Sequence, residues 1–503
     1  MRADALLRLY NALLPPAGLA LRLASPWNSK LRAGLAGRRG ATARLVARGA
    51  ELGGRVVWFH TTSVGEYEQA RPVAALLRAR RPDLEILHTF FSPSGYEYAL
   101  RLGEARHMEY LPEDTAPRIA RVLEALQPRL VVFVKFDLWP NLVVEAHRRG
   151  IPVLLLDGTL QPRSRRSRWP ARTLYRELYR RLAYISAVSE ADAARFRRVV
   201  PEHPAIVVDG DTRFDQVVHR RQAARSVPIA VQLRVEPRPF TCIAGSTWGP
   251  DEACVVPAWR ALCEAWRGDV RPRLLLVPHE PTPARLGEVE EKLRAAGLTW
   301  RRYSALAPGA ANAAVGTRAT HAHSTPVALS PPGGEQSSPV TAGGAPVATA
   351  RTSIAGANSS ADSSIESLRA TMTNPYASTA SAAAQAEVIV VDRVGVLAEL
   401  YAWTDAAYVG GAFTTGVHNV MEPASMGLPV FFGPRHHNAP EAEMLLEAGA
   451  AGVVRSPADL ERAWSGLAAD PGARTQMGAR ARTLIEANLG ASERCLQRIL
   501  TAL

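Results

Sequence analysis

The sequence predicts two doubly wound α/β domains, each built on a parallel sheet covered by helices, with a ligand cleft between them. Three observations carry this. From residue 55, short apolar runs rich in β-branched residues alternate with helical periodicity, the mark of strands buried on both faces. The alternation pauses near residues 215–238, where Pro228, Pro237 and Pro239 cluster, and then restarts. A chain of 503 residues also exceeds what one hydrophobic core usually supports.

In chain order, first-domain strands are predicted over 56–60, 84–91, 131–136, 153–157, 185–188 and 206–209. Helices lie between them, for example over 70–81 and 116–126. Second-domain strands are predicted over 240–244, 274–277, 388–391, 407–409 and 430–432, with helices closing the chain. The domains are expected over 51–225 and over 238–303 with 384–503. Residues 304–383 break the pattern. Ala, Ser, Thr, Gly and Pro dominate there, with only Arg318, Glu335, Arg351, Asp362, Glu366 and Arg369 charged. Such a segment buries too little apolar surface to offset its ordering entropy, so a disordered insertion is expected. The domain tolerates it because loop-closure cost grows slowly with length.

The net charge of +13 is local. Residues 1–50 hold Arg2, Arg8, Arg22, Lys30, Arg32, Arg38, Arg39, Arg44 and Arg48 against Asp4, and residues 163–181 hold eight arginines against Glu177. Either these are solvated faces or they meet an anionic partner: phospholipid, a phosphorylated substrate or nucleic acid. Nucleic acid is disfavoured, because Trp169, Tyr175 and Tyr179 alone interleave the second cluster. The stretch between Arg8 and Arg22 is too short to span a bilayer easily, carries Pro15-Pro16 and lacks a small-residue cleavage site. It reads as a basic membrane-associating segment over 1–50, with a domain-packing helix as the alternative. Cys242, Cys254, Cys263 and Cys495 show no CxxC spacing, which disfavours structural zinc or a disulfide scaffold and fits a reducing compartment.

Three constellations sit at predicted strand ends. In Phe59-His60-Thr61-Thr62-Ser63-Val64-Gly65-Glu66 a strand runs into a turn and then a helix. Glu66 is placed either as the base that sugar transfer to a hydroxyl needs or as a helix cap; a helix N-terminus favours its ionised form. In Lys135-Phe136-Asp137-Leu138-Trp139-Pro140-Asn141 the charged pair forms either a site wall or a loop-supporting ion pair. In Gly410-Gly411 and Gly416-Val417-His418-Asn419-Val420-Met421-Glu422, glycines let backbone approach a nucleotide, and Glu422 is placed for ribose hydroxyls. Ser246, Thr247, Pro278 and His279 lie at strand ends facing the same cleft. His436-His437 has metal-ligating chemistry but no third ligand nearby in sequence, so neither metal nor cofactor is expected.

With these motifs in order, the sequence resembles the 3-deoxy-D-manno-octulosonic acid (Kdo) transferases, glycosyltransferases of lipopolysaccharide assembly with two Rossmann-like domains in the GT-B arrangement. Further ordered matches are Tyr110-Leu111-Pro112, Arg213-Phe214-Asp215 and Leu276-Val277-Pro278. The resemblance implies transfer of Kdo from CMP-Kdo to a lipid A precursor, with inversion, at the cytoplasmic face of the bacterial inner membrane. It implies Glu66 as catalytic base, Arg213 aiding the transition state, and catalytic placement of Lys135 and Asp137. It implies substrate contacts at Ser63, Gly65 and Gly411, with CMP at Pro278, His279, Val394-Gly395-Val396 and His418 to Met421. Departures from the pattern are Arg213 where Lys is typical, and Lys135 and Val396 where Glu is common. Two alternatives remain: a nucleotide-sugar epimerase or other lipid glycosyltransferase of the same fold, and a non-catalytic basic membrane adaptor.

Overall fold

The computed structural model describes residues 3–162, 164–224, 238–306 and 387–503; nearly all of the predicted insertion and the proline cluster lie outside the described residues. The first sheet contains β1 (Val56–Thr61), β2 (Glu85–Phe90), β3 (His107–Tyr110), β4 (Leu130–Val134), β5 (Val153–Gly158), β6 (Tyr184–Ala187) and β7 (Ile206–Val208). The second contains β8 (Thr241–Thr247), β9 (Arg273–Pro278), β10 (Trp300–Arg302), β11 (Val388–Val390), β12 (Ala406–Val409), β13 (Val430–Phe432) and β14 (Ala451–Val453). Every pairing is parallel, in the orders β3-β2-β1-β4-β5-β6-β7 and β10-β11-β9-β8-β12-β13-β14. The winding reverses between β1 and β4, and again between β8 and β12. At those two points the carboxyl ends of the strands open a crevice.

Local chemistry explains the elements. β1 and β4 are buried along their whole length, so both faces must be apolar. The helix Ala116–Leu126 buries Ile119, Val122, Leu123 and Leu126, one stripe at helical spacing. β3, β10 and β14 escape the sequence reading, and each is a sheet edge where a long apolar run is unnecessary.

Two helices cross between the sheets. The last helix, Ala491–Ala502, was expected with the second domain, but its Cys495, Leu496 and Ile499 pack against Val57, Phe59, Leu130 and Val132 of the first sheet. Conversely, the helix Thr212–Ala224 sends Phe214 and Val217 into the second-domain core beside Val409, Ala412 and Val420. Asp215 ties the crossings together by accepting from Gly490 N–H at 2.7 Å and Ser492 N–H at 2.6 Å.

The N-terminal segment also divides. The helix Ala41–Leu52 belongs to the first core through Leu45 and Leu52, and Arg44 grips both oxygens of Glu109 at 2.6 and 2.8 Å. Arg38 lies 3.8 Å over the Phe91 ring and donates to its carbonyl at 2.7 Å. The helix Ala3–Ala24 is held by buried Leu6 and by Tyr10, whose hydroxyl donates to Asp114 at 2.9 Å. Its Leu9, Leu13, Leu19, Leu21 and Leu23 remain exposed, as do Trp27 (85%) and Trp169 (74%). It packs beside Ala171–Tyr179, which brings the two basic segments together. Among the described residues no helix is long and apolar enough to cross a membrane.

Candidate active site

β1 ends at Thr61, and Ser63 caps the following helix, Val64–Arg80, accepting weakly from Glu66 N–H at 3.5 Å. Glu66 sits in the first turn, 4% exposed, and its carboxylate accepts from Thr62 N–H. It therefore does what a cap does. Burial pushes its pKa up to about 7; nearby Asp137 adds to the rise, while Thr62 N–H and Lys135 oppose it. The helix N-terminus was expected to favour the ionised form; desolvation outweighs it and places the proton exchange of this carboxyl near neutral pH. That is where a general base works best.

β4 runs into Lys135, whose φ of 72° is left-handed, a conformation costing a non-glycine residue about 1–3 kcal/mol. Its N–H donates to Leu156 O at 2.7 Å and its carbonyl accepts from Thr159 N–H at 3.1 Å, which holds the loop. The Lys135–Asp137 ion pair offered as one reading does not form. Asp137 takes Arg166 at 2.7 Å, and Lys135 Nζ lies 5.4 Å from the Phe136 ring centre. Trp139 Nε1 donates to His60 Nε2 at 2.8 Å, so Nδ1 of His60 carries the proton and donates to Thr89 Oγ1 at 3.0 Å. Burial lowers the His60 pKa to about 3, so this imidazole stays neutral and braces Trp139.

The Leu-Trp-Pro-Asn motif thus splits between wall and scaffold. Trp139 reaches His60. Asn141 and Leu142 present backbone N–H groups to Asp114, each at 3.0 Å, and Asn141 Nδ2 reaches Asn11 of the first helix at 2.8 Å. The Arg213-Phe214-Asp215 motif splits likewise: Phe214 enters the second core, Asp215 holds the last helix, and Arg213 faces the cleft.

A cavity of about 320 Å³ lies between the domains. Gly65 and Glu68 line it from the first domain, and His418, Asn419, Met421 and Glu441 from the second. The helix Thr212–Ala224 adds Arg213, Gln216, Val217 and Arg220, one face at helical spacing. A Cβ at Gly65 would meet nothing closer than Ser63 Oγ at 4.0 Å, so the missing side chain leaves room in the cavity.

Arg213 is held on both sides. Asp211 accepts from it at 2.6–3.1 Å, and Glu441 of the second domain at 3.0 and 3.4 Å. Arg220 bridges Glu68 and Glu422, each at 2.6 Å, and donates to Tyr98 at 2.7 Å. Glu422, expected at ribose hydroxyls, is thus already bound to an arginine. Two arginines meet four carboxylates here, so either guanidinium reaches an anionic ligand only by giving up one of these pairs.

Toward the second domain, Trp248 Nε1 donates to His418 Nε2 at 3.0 Å, and His418 stacks on His279 with ring centres 4.3 Å apart. Pro278 ends β9, His279 is exposed, and His279 N–H donates to Thr247 O at 3.0 Å. Thr247 Oγ1 donates to Glu252, which is gripped by Arg285 and Lys292. Ser246 adopts φ 55°. Val394 and Gly395 are exposed, and Val396 starts the helix Leu397–Tyr401. Asn419 Oδ1 accepts from Met421 N–H at 3.0 Å, and Val420 precedes the short helix Met421–Met426. Close backbone contact within the chain explains the paired glycines: a Cβ at Gly410 would lie 2.3 Å from Ser246 O, and one at Gly411 2.4 Å from Gly416 O.

Sequence reasoning missed Glu68, Arg220, Asp211, Glu441 and Trp248. The spacing of Arg213, Gln216, Val217 and Arg220 along one helix carried a signal for the second arginine. Glu441 carried none, because it meets Arg213 only through the fold.

The family model described as 3-Deoxy-D-manno-octulosonic-acid transferase (kdotransferase) matches residues 33–216. A 3-deoxy-D-manno-octulosonic acid transferase of Bordetella pertussis is 26% identical over 501 residues, covering 96% of this chain and 97% of that one. The enzyme of the same name from Haemophilus influenzae is 24% identical over 444 residues, covering 88% and 85%. Among solved structures, UDP-GlcNAc 2-epimerase from Neisseria meningitidis superposes with a TM-score of 0.54 at 12% identity, over 89% of this chain and 100% of that one, a likeness of fold. With two facing Rossmann-like domains in the GT-B arrangement, the chain is similar to the Kdo transferases along nearly its whole length.

Proposed function

We propose that this enzyme transfers Kdo from CMP-Kdo to a hydroxyl of a lipid A precursor, with inversion at the anomeric carbon and Glu66 as base. The observation that carries the reading is the Glu66 carboxyl, buried at the β1/β4 reversal with its pKa pushed up to about 7. Glu66 takes the proton of the acceptor hydroxyl as that oxygen bonds to the anomeric carbon. The carbon–oxygen bond to phosphate breaks on the opposite face, and CMP leaves with the electron pair. Lys135 supports the reading as a cation at the same strand-end crevice, and among the described residues no carboxylate pairs with it. Arg213 reaches phosphate by exchanging Glu441 or Asp211 for it, which couples donor binding to the contact between domains. The cytidine side of the donor falls to Pro278, His279, the Val394–Val396 turn and His418 to Met421.

The acceptor side is proposed to work at a membrane surface. Exposed Leu9, Leu13, Leu19, Trp27 and Trp169 beside two converging basic segments suit an anionic headgroup layer on the cytoplasmic side. The test of stereochemistry is NMR of the lipid product. The anomeric configuration of the transferred sugar is expected to be opposite to that in the donor; retention excludes Glu66 as base in a single displacement.

A further inference from the structure

We infer a divalent transition-metal site, suited to zinc, formed by His436, His437 and Glu443 on the second-domain wall of the cleft. The two histidines lie within the loop after β13, and Glu443 lies in the first turn of the helix Pro440–Glu447. Helical spacing brings that carboxylate back over the histidines, which the linear sequence hides. Oε1 of Glu443 lies 2.9 Å from His436 Nδ1 and 2.5 Å from His437 Nδ1. These three atoms are the nitrogen and oxygen donors that zinc takes from protein.

Hydrogen bonding accounts for only half of this arrangement. His437 Nδ1 can donate to Glu443. His436 is 8% exposed, and its Nδ1, although 2.9 Å from the same oxygen, is out of line and makes no hydrogen bond. A buried imidazole nitrogen aimed beside a carboxylate, without a bond, calls for an explanation. A metal supplies one. In a tetrahedral site the ion sits on each nitrogen's lone-pair axis, while the neighbouring ligand atom lies about 35° off it and about 3.3 Å away. The off-axis approach fits, and closing on an ion requires the donors to spread by about half an ångström. His437 (81% exposed) and Glu443 (40%) are free to move that far. Water fills the fourth position from the exposed side.

Placement gives the ion a structural consequence. Between the ligands lie Asn438, which bonds both the N–H and the carbonyl of Val417, and Glu441, which holds Arg213. An ion here ties the start of the helix to the loop and fixes that stretch of cleft wall.

The test uses the untagged full-length chain, stripped with chelator, re-equilibrated with Zn²⁺ and freed of loose metal by gel filtration. About one equivalent is expected to remain, Co²⁺ in its place is expected to show tetrahedral visible absorption, and Zn²⁺ is expected to raise the melting temperature. His437→Ala alters an exposed group and Glu443→Gln a half-buried one of the same shape, so both are expected to fold while losing the equivalent and the Zn²⁺-dependent stabilisation. Zinc retained equally by the double variant, or no zinc retained by the parent, overturns the site.

Discussion

Replacing Glu66 by Gln keeps shape and hydrogen-bonding capacity but removes the proton acceptor, and the structure makes the consequences quantitative. General-base catalysis contributes roughly 10²–10⁴-fold, so turnover is expected to fall by about that much. The pKa of about 7 shapes the pH profile of the parent. Because the base must be ionised, kcat/KM is expected to rise with pH and level off above about 7, and the variant loses that limb. Stability carries a second signature. A carboxyl whose folded pKa stands above its unfolded value stabilises the fold below the unfolded pKa and loses that contribution as pH rises toward the folded one. The span from 4.5 to about 7 corresponds to roughly 3 kcal/mol, an upper figure for a group with some solvent access. Glu66→Gln escapes this loss, so it is expected to match the parent near pH 4.5 and to exceed it in melting temperature at pH 8. A carboxylate acting only as a cap predicts the reverse: nearly full turnover and a stability loss of roughly 0.5–2 kcal/mol. Single-turnover rates and melting curves on one preparation decide. A variant that turns over within a few-fold of the parent and melts lower at pH 8 refutes the assignment.

Arg213→Ala leaves Asp211 and Glu441 buried without their cation, and the expected cost is roughly 3 kcal/mol in denaturant unfolding, with or without substrate. Gly65→Ala adds a methyl where only the cavity lies; the melting temperature is expected to hold or rise, because Ala exceeds Gly in helix propensity by about 1 kcal/mol, while KM increases several-fold. Neutralising exposed Arg8, Lys30, Arg32 and Arg39 is expected to weaken binding to anionic vesicles, most at low salt, whereas Leu13→Ser with Trp27→Ser weakens it at every salt concentration. Replacing residues 307–382 by a short Gly/Ser linker, which keeps buried Leu306, is expected to preserve melting temperature and turnover.

The two sheets were legible because buried parallel strands are nearly continuous apolar runs. The edge strands β3, β10 and β14 were not, since a strand buried on one side needs no such run. The elements that cross between domains were equally hidden. Periodicity tells that the helix around Leu496 has an apolar face, but not that Val57 and Phe59 receive it. At the site, the strand-end positions of Glu66, Lys135 and His418 could be read from the strand–turn–helix pattern. Charge partners could not: Lys135 and Asp137 are neighbours in sequence, yet Asp137 chose Arg166 from another loop. The state of Glu66 was misjudged for a related reason. A helix end is visible in sequence, whereas the burial that outweighs it belongs to the tertiary structure.

The most direct measurement is CMP release from CMP-Kdo, with and without a tetraacylated lipid A precursor, run beside UDP-GlcNAc as competing donor. CMP is expected to appear in step with the Kdo-bearing lipid, only when both substrates are present, and UDP-GlcNAc is expected to remain intact. CMP release indifferent to the lipid, or turnover of UDP-GlcNAc in place of CMP-Kdo, contradicts the assignment of donor and acceptor.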